Sequence, residues 1–121
     1  MKARSVFGVP VSAREVAAAV AQAMNVVSSR YKRFAACVRF YYPREDCEDF
    51  FEAYYFVRTA TGDAVVAVDW NGRPVAVAQP GAVVAAVRAV FKYAERKRGE
   101  KPTKVEVFEV PEEVAFPRWF D

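Results

Sequence analysis

The sequence predicts an α+β domain in which two amphipathic helices pack on one face of an antiparallel sheet. Its 121 residues lie within the usual range for one domain. The contents of 54% apolar and 15% aromatic residues are too high for a disordered chain. Segments with strand and helix periodicity follow one another in the order β-α-β-β-β-β-α-β. We therefore expect residues 1–121 to form a single domain, with a C-terminal tail at about 111–121 that packs on the domain or on a partner.

The first helix is predicted from a capping signal. Residues 5–11 have the pattern of a short strand, and the capping box Ser12-Ala13-Arg14-Glu15 follows directly. In such a box the Ser12 side chain accepts the amide of Glu15, while Glu15 reaches back. A helix is expected from there to about Tyr31. Its apolar positions recur at helical spacing and are Val16, Val20, Met24 and Val27.

Four strands of a meander are predicted between the two helices. Asn71-Gly72 is the strongest short hairpin signal in the sequence, and Thr61-Gly62 marks a second turn. The polar residues 43–49 form the remaining connection. The strands are expected at Phe34–Tyr42, Phe50–Thr59, Ala64–Trp70 and Pro74–Gln79.

The second helix is expected to begin at Pro80-Gly81 and to end at about Arg98, because Gly99 and Pro102 stop it. Residues 103–110 then give a last strand. The apolar face of this helix consists of Val83, Val84, Val87, Val90, Phe91 and Ala94.

The strand register follows from the rule that directly opposite residues share a face. A two-residue turn at Asn71-Gly72 and a turn at Thr61-Gly62 fix three of the strands, and the longer loop adds the fourth. One continuous apolar face results, and both helices are expected to pack on it. The predicted pairs are Val68 with Val75, Val66 with Val77, Val57 with Val66, Tyr55 with Val68, Ala53 with Trp70, Val38 with Tyr55 and Phe40 with Ala53.

The first five elements after Ser5 are similar in order to the cystatin-like layout, in which a curved meander wraps a helix. The resemblance is architectural, since no family motif accompanies it. A shared fold would not establish a function in any case.

The same register assigns the opposite face, the predicted outer face, mainly to Ala, Val, Cys, Phe and Tyr. In a sheet with one solvated face, polar side chains normally alternate with apolar ones along each strand and lie on the solvated face. An apolar patch of this size on that face marks an interface or a groove. Three interpretations are open: coverage by the C-terminal segment, a symmetric dimer, or a ligand cleft with Arg39, Tyr54 and Asp69 as its polar contacts. The candidate ligand or interface residues are Arg39, Tyr41, Tyr54, Phe56, Arg58 and Asp69.

The leading functional hypothesis is a non-enzymatic interaction module that self-associates through the predicted outer face, as a homodimer, or that binds another protein there. It predicts that Phe56→Asp or Tyr54→Asp gives a folded monomer. A small-molecule binder or enzyme with a site around Arg39, Tyr54 and Asp69 is an alternative.

The amino-acid alphabet restricts the available chemistry. The chain has no His, so no imidazole acid, base or metal ligand is available. It has no phosphate-binding glycine loop and no nucleophile elbow. Cys37 and Cys47 are too few for a zinc site and are interpreted as free thiols, with a disulfide as the minor alternative. Enzyme activity is disfavoured, and we predict no catalytic residue, no metal and no cofactor.

The composition also lacks Leu and Ile, and Asn and Gln are scarce, which indicates a thermophile-like or an engineered sequence. No apolar run is long enough to span a bilayer, and the amino terminus lacks the apolar core of a signal peptide. We therefore expect a cytoplasmic protein without a membrane partner.

Nucleic-acid binding is the main alternative binding function. Basic residues are interleaved with Tyr31 and Phe34 near the end of the first helix, and a second basic cluster closes the second helix. Basic grooves with aromatic platforms suit single strands. A basic last turn also complements a helix C-terminus without any ligand. The candidate residues are Arg30, Lys32, Arg33, Lys92, Arg96, Lys97 and Arg98.

Overall fold

A computed structural model describes residues 4–8, 11–28, 35–44, 50–59 and 61–110 of the chain. The predicted order of the elements is confirmed. A short 3-10 turn at Pro80–Ala82 precedes the second helix. The elements are β1 (Arg4–Gly8), α1 (Ala13–Ser28), β2 (Ala35–Tyr41), β3 (Phe51–Arg58), β4 (Val65–Val68), β5 (Pro74–Ala78), α2 (Val83–Arg98) and β6 (Lys104–Val110).

Within the described residues the strands form one antiparallel sheet in the order β1-β6-β2-β3-β4-β5. The predicted meander is present as β2 to β5. The sheet has six strands and not four, so the predicted number of strands in the sheet is wrong. The last strand, β6, returns across the sheet after α2 and inserts between β1 and β2. Such long-range pairing leaves no local turn signal, which is why the sequence pattern missed it.

The helix ends follow the predicted capping chemistry. The Ser12 hydroxyl oxygen accepts the Glu15 amide at 3.2 Å, and the same hydroxyl lies 3.1 Å from Glu15 Oε1. At the C-terminal end of α2, Gly99 has a φ of 68°, and its amide donates to the Glu95 carbonyl oxygen at 2.8 Å. Glycine adopts this left-handed conformation without steric cost, so α2 ends here.

The β4–β5 hairpin confirms the predicted register in part. Val66 lies opposite Val77 as predicted, but Val68 lies opposite Pro74 and not opposite Val75. The turn is a three-residue loop: the Asp69 amide donates to the Arg73 carbonyl, and Gly72 has a φ of 81°. A bulge after this loop restores the predicted pairing further along.

The register between β2 and β3 differs from the prediction by one residue. Val38 lies opposite Tyr54 and Phe40 opposite Glu52, where the sequence predicted Tyr55 and Ala53. The pairing of β3 with β4 is as predicted for Val57 opposite Val66 and Tyr55 opposite Val68. The predicted pair of Ala53 with Trp70 lies beyond the end of β4 at Val68. Because side chains alternate, the one-residue slip exchanges the two faces of β3, β4 and β5 relative to β2.

Both helices pack on one face of the sheet, which we call the inner face. Side chains from α1, α2 and the sheet bury one another there, and complete burial of one such apolar side chain stabilises the fold by about 1.5–3 kcal/mol. None of the helices in the described ranges is long and apolar enough to cross a membrane. The core residues of this inner face and its helices include Val16, Val20, Met24, Val38, Phe40, Tyr54, Phe56, Val65, Val87, Val90, Val105 and Val107.

The other side of the sheet, the outer face, has no helix on it among the described residues. Its side chains alternate with those of the inner face along each strand. The residues of the outer face include Val6, Cys37, Arg39, Tyr41, Phe51, Ala53, Tyr55, Val57, Val66, Val68, Val77, Lys104, Glu106 and Phe108.

Candidate functional site

The residues predicted to share one outer surface lie on both faces of the sheet. Arg39 and Tyr41 are on the outer face, as predicted. Tyr54 and Phe56 are on the inner face, where both are 0% exposed beneath the helices. Arg58 is two residues further along β3, so it lies on the same face as Phe56, and it is half-buried. The one-residue slip between β2 and β3 is the reason, since it turns these three residues of β3 to the helix side.

Asp69 is fully buried at the start of the β4–β5 turn. Its Oδ1 accepts the amides of Asn71 at 2.9 Å and Arg73 at 3.0 Å. Its Oδ2 lies 3.5 Å from the Tyr93 hydroxyl of α2. These bonds hold the turn and connect it to the helix, while Arg39 lies on the opposite face of the sheet. The structure therefore does not bring Arg39 together with Tyr54 and Asp69.

A buried polar cluster lies under the C-terminal half of α2 and consists of Tyr42, Glu52, Tyr54 and Arg98. The Arg98 guanidinium lies 3.2 Å from Glu52 Oε2, and the Glu52 side chain is only 8% exposed. The same guanidinium lies 5.0 Å from the centre of the Tyr42 ring. Among the residues that the structure describes, neither the Tyr42 nor the Tyr54 hydroxyl has a hydrogen-bond partner. Buried polar groups are normally paired, so these two hydroxyls need an explanation.

Burial sets the protonation of this cluster. It raises the pKa of the Tyr54 hydroxyl well above its ordinary value. It also raises the pKa of Tyr42, with a smaller contribution from the Glu52 and Glu100 carboxylates. Both hydroxyls therefore keep their protons and remain donors. Burial raises the pKa of Glu52 as well, since desolvation outweighs the cations around it.

Glu100 links this cluster to the loop after β2. Arg44 donates to both carboxylate oxygens of Glu100, at 3.0 and 3.3 Å, and Arg98 lies 3.8 Å from the same carboxylate. A two-pronged arginine–carboxylate pair has a fixed geometry. These pairs fix the end of α2 against the β2–β3 side of the sheet.

A cleft of about 450 Å³ opens beside the buried polar cluster, between β2, α2 and the start of β6. We call it the β2–α2 cleft. Tyr42, whose hydroxyl is unpaired, is part of its wall. Apolar side chains make up most of the lining, which consists of Val11, Phe40, Tyr42, Phe91, Ala94, Glu95, Glu100, Lys101, Pro102 and Val105.

The outer face carries its own buried charge. Glu106 is 1% exposed on β6. Its Oε1 accepts the Tyr41 hydroxyl at 3.1 Å and lies 3.7 Å from Arg39, which is directly opposite on β2. The Arg39 guanidinium stacks between two rings, 4.3 Å from the centre of Phe51 and 4.7 Å from that of Phe108. Arg39 and Glu106 are therefore paired with each other within the sheet.

The centre of the outer face is buried and its margins are exposed. Cys37, Ala53 and Val57 form a small apolar cluster beside Tyr55 and Phe108. Burial raises the pKa of the Cys37 thiol to about 12, so Cys37 is an unreactive thiol. In the described ranges the exposed large apolar side chains are Val6 (56%), Phe51 (38%) and Val77 (67%), all on the outer face.

The candidate nucleic-acid residues separate into different environments. Arg30, Lys32 and Arg33 lie outside the described residues, as does Cys47. Arg98 belongs to the buried polar cluster, and Lys97 stacks on Trp70, with its Nζ 4.5 Å from the ring centre. Lys92 and Arg96 are exposed on α2. With exposed Arg88 they recur every four residues and form a basic stripe on one side of the helix.

Two buried residues of these sites, Glu106 and Tyr42, were not predicted from the sequence. The alternation of Glu106 with Val105 and Val107 is the ordinary pattern of a strand with one solvated face, so no local signal could have identified Glu106 as a buried charge. Tyr42 follows the last residue of β2 and fits an ordinary core pattern. In the described ranges no group of three or more acidic or Cys side chains could hold a metal ion.

Comparison of the chain with protein-family models, with curated proteins and with solved structures gives no match.

Proposed function

We propose that the protein is a non-enzymatic interaction module that self-associates through the outer face. The observation that carries this proposal is the distribution of exposed apolar side chains. Both helices pack on the inner face, while Val6, Phe51 and Val77 are exposed on the outer face. Exposed apolar side chains that share one face favour association.

The charges of the outer face support a second copy of the chain as the partner. Arg39 is paired with Glu106, and Lys104 lies 4.2 Å from the centre of the Tyr41 ring. A partner of strong opposite charge would have to compete with these internal contacts. An identical face brings the same internally paired charges and the same apolar margins, as a two-fold symmetric interface requires.

The strand positions also favour this partner. Val6 lies on β1 and Val77 on β5, which are the two edges of the sheet. In a face-to-face pair related by a two-fold axis, the margins of one sheet meet those of the other around the two buried centres. The contact then depends on marginal side chains, each of which can be replaced without disturbing the core.

The experiment is sedimentation of the full chain over a range of concentrations. We expect the wild-type protein at twice the chain mass and Val77→Asp or Phe51→Asp at the single mass, with unchanged circular dichroism. Ala85→Asp, at an exposed position of α2, is the matched control and should remain a dimer. A wild-type monomer at all concentrations, or variants that keep the wild-type mass, would overturn the proposal.

The basic stripe on α2 favours a second candidate function, nucleic-acid binding. The stripe of Arg88, Lys92 and Arg96 is exposed and runs about two helical turns. Binding of a single-stranded oligonucleotide should weaken steeply between 50 and 200 mM salt, as about one counterion is released per phosphate contact. Lys92→Glu should abolish it, whereas Arg14→Glu on α1 should not. Absence of binding at low salt would exclude this function for the stripe.

A further inference from the structure

A half-buried tryptophan, Trp70, lies at the start of the β4–β5 turn and packs beside α2. It follows the buried Asp69, which accepts two backbone amides of the turn. On its interior side the Trp70 ring makes a T-shaped contact with the fully buried Tyr54, at 5.7 Å between ring centres. The ring is therefore held in place before any ligand binds, which lowers the entropic cost of binding to it.

An exposed lysine of α2 lies over the same ring. The Lys97 Nζ is 4.5 Å from the centre of the Trp70 ring and 5.6 Å from that of Tyr93. Tyr93 and Lys97 directly follow Lys92 and Arg96 of the basic stripe, so they form the neighbouring row on the helix. Through Lys97 the basic stripe therefore continues to an aromatic ring.

The charges around Trp70 suit the backbone of a nucleic acid. Arg96 and Lys97 are exposed on α2, and Arg73 is exposed on the same turn as Trp70. Glu95 is two positions before Lys97 and so lies on the opposite side of the helix, where it lines the β2–α2 cleft. Single strands are bound by such combinations, in which bases stack on aromatic rings while phosphates pair with Lys and Arg.

Replacement of Lys97 by a base on the Trp70 ring is favourable. A cation–π contact at an exposed site contributes only about twofold to fivefold to an equilibrium constant. Stacking of one base on an aromatic side chain contributes about fivefold or more. The displaced ammonium can pair with a phosphate next to the stacked base, so its charge remains compensated.

We propose that Trp70 is the stacking platform for one base of a single-stranded nucleic acid, and that this base replaces the Lys97 ammonium, which then binds a phosphate of the same strand. This role of Trp70 rests on the nucleic-acid function proposed for the basic stripe and adds the residue that contacts a base. Trp70 packs with the core of the inner face, so the role is independent of self-association through the outer face.

The test uses the full chain with Trp119→Phe, in which Trp70 is the one remaining tryptophan of the sequence. Two strands of equal charge are compared: an oligothymidylate of about ten nucleotides and a strand of the same length made of abasic tetrahydrofuran units. We expect the oligothymidylate to quench the Trp70 fluorescence and to bind about tenfold more tightly than the abasic strand. The abasic strand should bind the stripe without this quenching.

Lys97→Met tests the transfer of the ammonium to a phosphate. The plot of log affinity against log salt concentration should become shallower by about 0.7, the value of one phosphate contact with a single strand. Arg14→Met, which removes an exposed cation from α1, is the matched control and should leave the slope unchanged.

Equal affinity for the two strands, or oligothymidylate binding without quenching, would overturn the role of Trp70 and leave nucleic-acid binding by the stripe in place. An unchanged slope for Lys97→Met would overturn the role of Lys97. Binding of neither strand at low salt would overturn both the stacking platform and the nucleic-acid function on which it rests.

Discussion

Among the described residues, a buried glutamate pairs with an arginine on each face of the sheet, and the two pairs differ in what they connect. On the inner face Glu52 of β3 pairs with Arg98 of α2 at 3.2 Å. On the outer face Glu106 of β6 pairs with Arg39 of the neighbouring strand at 3.7 Å. The inner pair holds a helix against the sheet. The outer pair lies within the sheet and connects the neighbouring strands β2 and β6 at directly opposite positions.

The apolar side chains show the same difference. On the inner face large aromatic side chains are covered by the helices, as in the edge-to-face contact of Phe40 with Phe91 at 5.3 Å between ring centres. On the outer face the apolar cluster around Cys37 is small, and larger residues at the margins remain exposed. Apolar content by itself therefore does not distinguish the two faces, and helix docking does.

The largest expected effect comes from placing a charge on each face. Phe56→Asp introduces an unpaired carboxylate beneath the helices and should lower the free energy of unfolding by more than about 4 kcal/mol. Val77→Asp on the outer face should change it by less than about 0.5 kcal/mol. Urea denaturation measures both.

A folded Phe56→Asp variant with wild-type stability would mean that the two faces are exchanged. In that case the register expected from the sequence would be correct and the observed one would not.

The next effect concerns the centre of the outer face. In a Cys47→Ser background, Cys37 should react with Ellman's reagent at pH 8 about a thousandfold more slowly in the native than in the unfolded protein, because its pKa is raised from 9.0 to about 12. The native rate should rise about tenfold per pH unit through pH 10, since only the thiolate reacts. A rate that levels off near pH 9 would show that the centre of this face is open to solvent.

A smaller effect separates the two glutamate–arginine pairs. Arg98→Met removes the ion-pair partner of the buried Glu52 carboxylate and should cost about 3 kcal/mol, at the lower end for a broken buried pair because Arg98 is 19% exposed and other cations act on Glu52. Arg39→Met should cost about 1 kcal/mol, because Arg39 is 34% exposed and Glu106 keeps the hydrogen bond from Tyr41. Thermal denaturation of both variants tests the order, and equal losses would contradict the distinction drawn between the faces.

Local chemistry was enough to predict the elements. Ser12 and Glu15 marked the start of α1, Gly99 marked the end of α2, and Gly62 and Gly72 marked the two hairpin turns, with positive φ values in the structure. Each of these signals acts over a few residues, so the local sequence is sufficient to predict the cap or the turn.

The candidate site was less predictable, because it depends on contacts that are distant in the sequence. Tyr42 becomes part of the β2–α2 cleft only when α2 packs beside β2. Glu52 and Arg98 are 46 positions apart, and the sequence around either residue does not indicate that the other is its ion-pair partner. Arg39 and Tyr41 were correctly assigned to the outer face, whereas Tyr54 and Phe56 were not.

The sequence by itself determined the order of the elements, their capping and the pairing of β3 with β4, since short turns fix the register of hairpins. Only the tertiary structure decided which face the helices cover. Both alternating sets of β3 contain large apolar or aromatic side chains, so a one-residue slip of the strand next to the long loop preserves an apolar face on either side. Docking of α1 and α2, with the Glu52–Arg98 pair and the insertion of β6, selects one of the two arrangements.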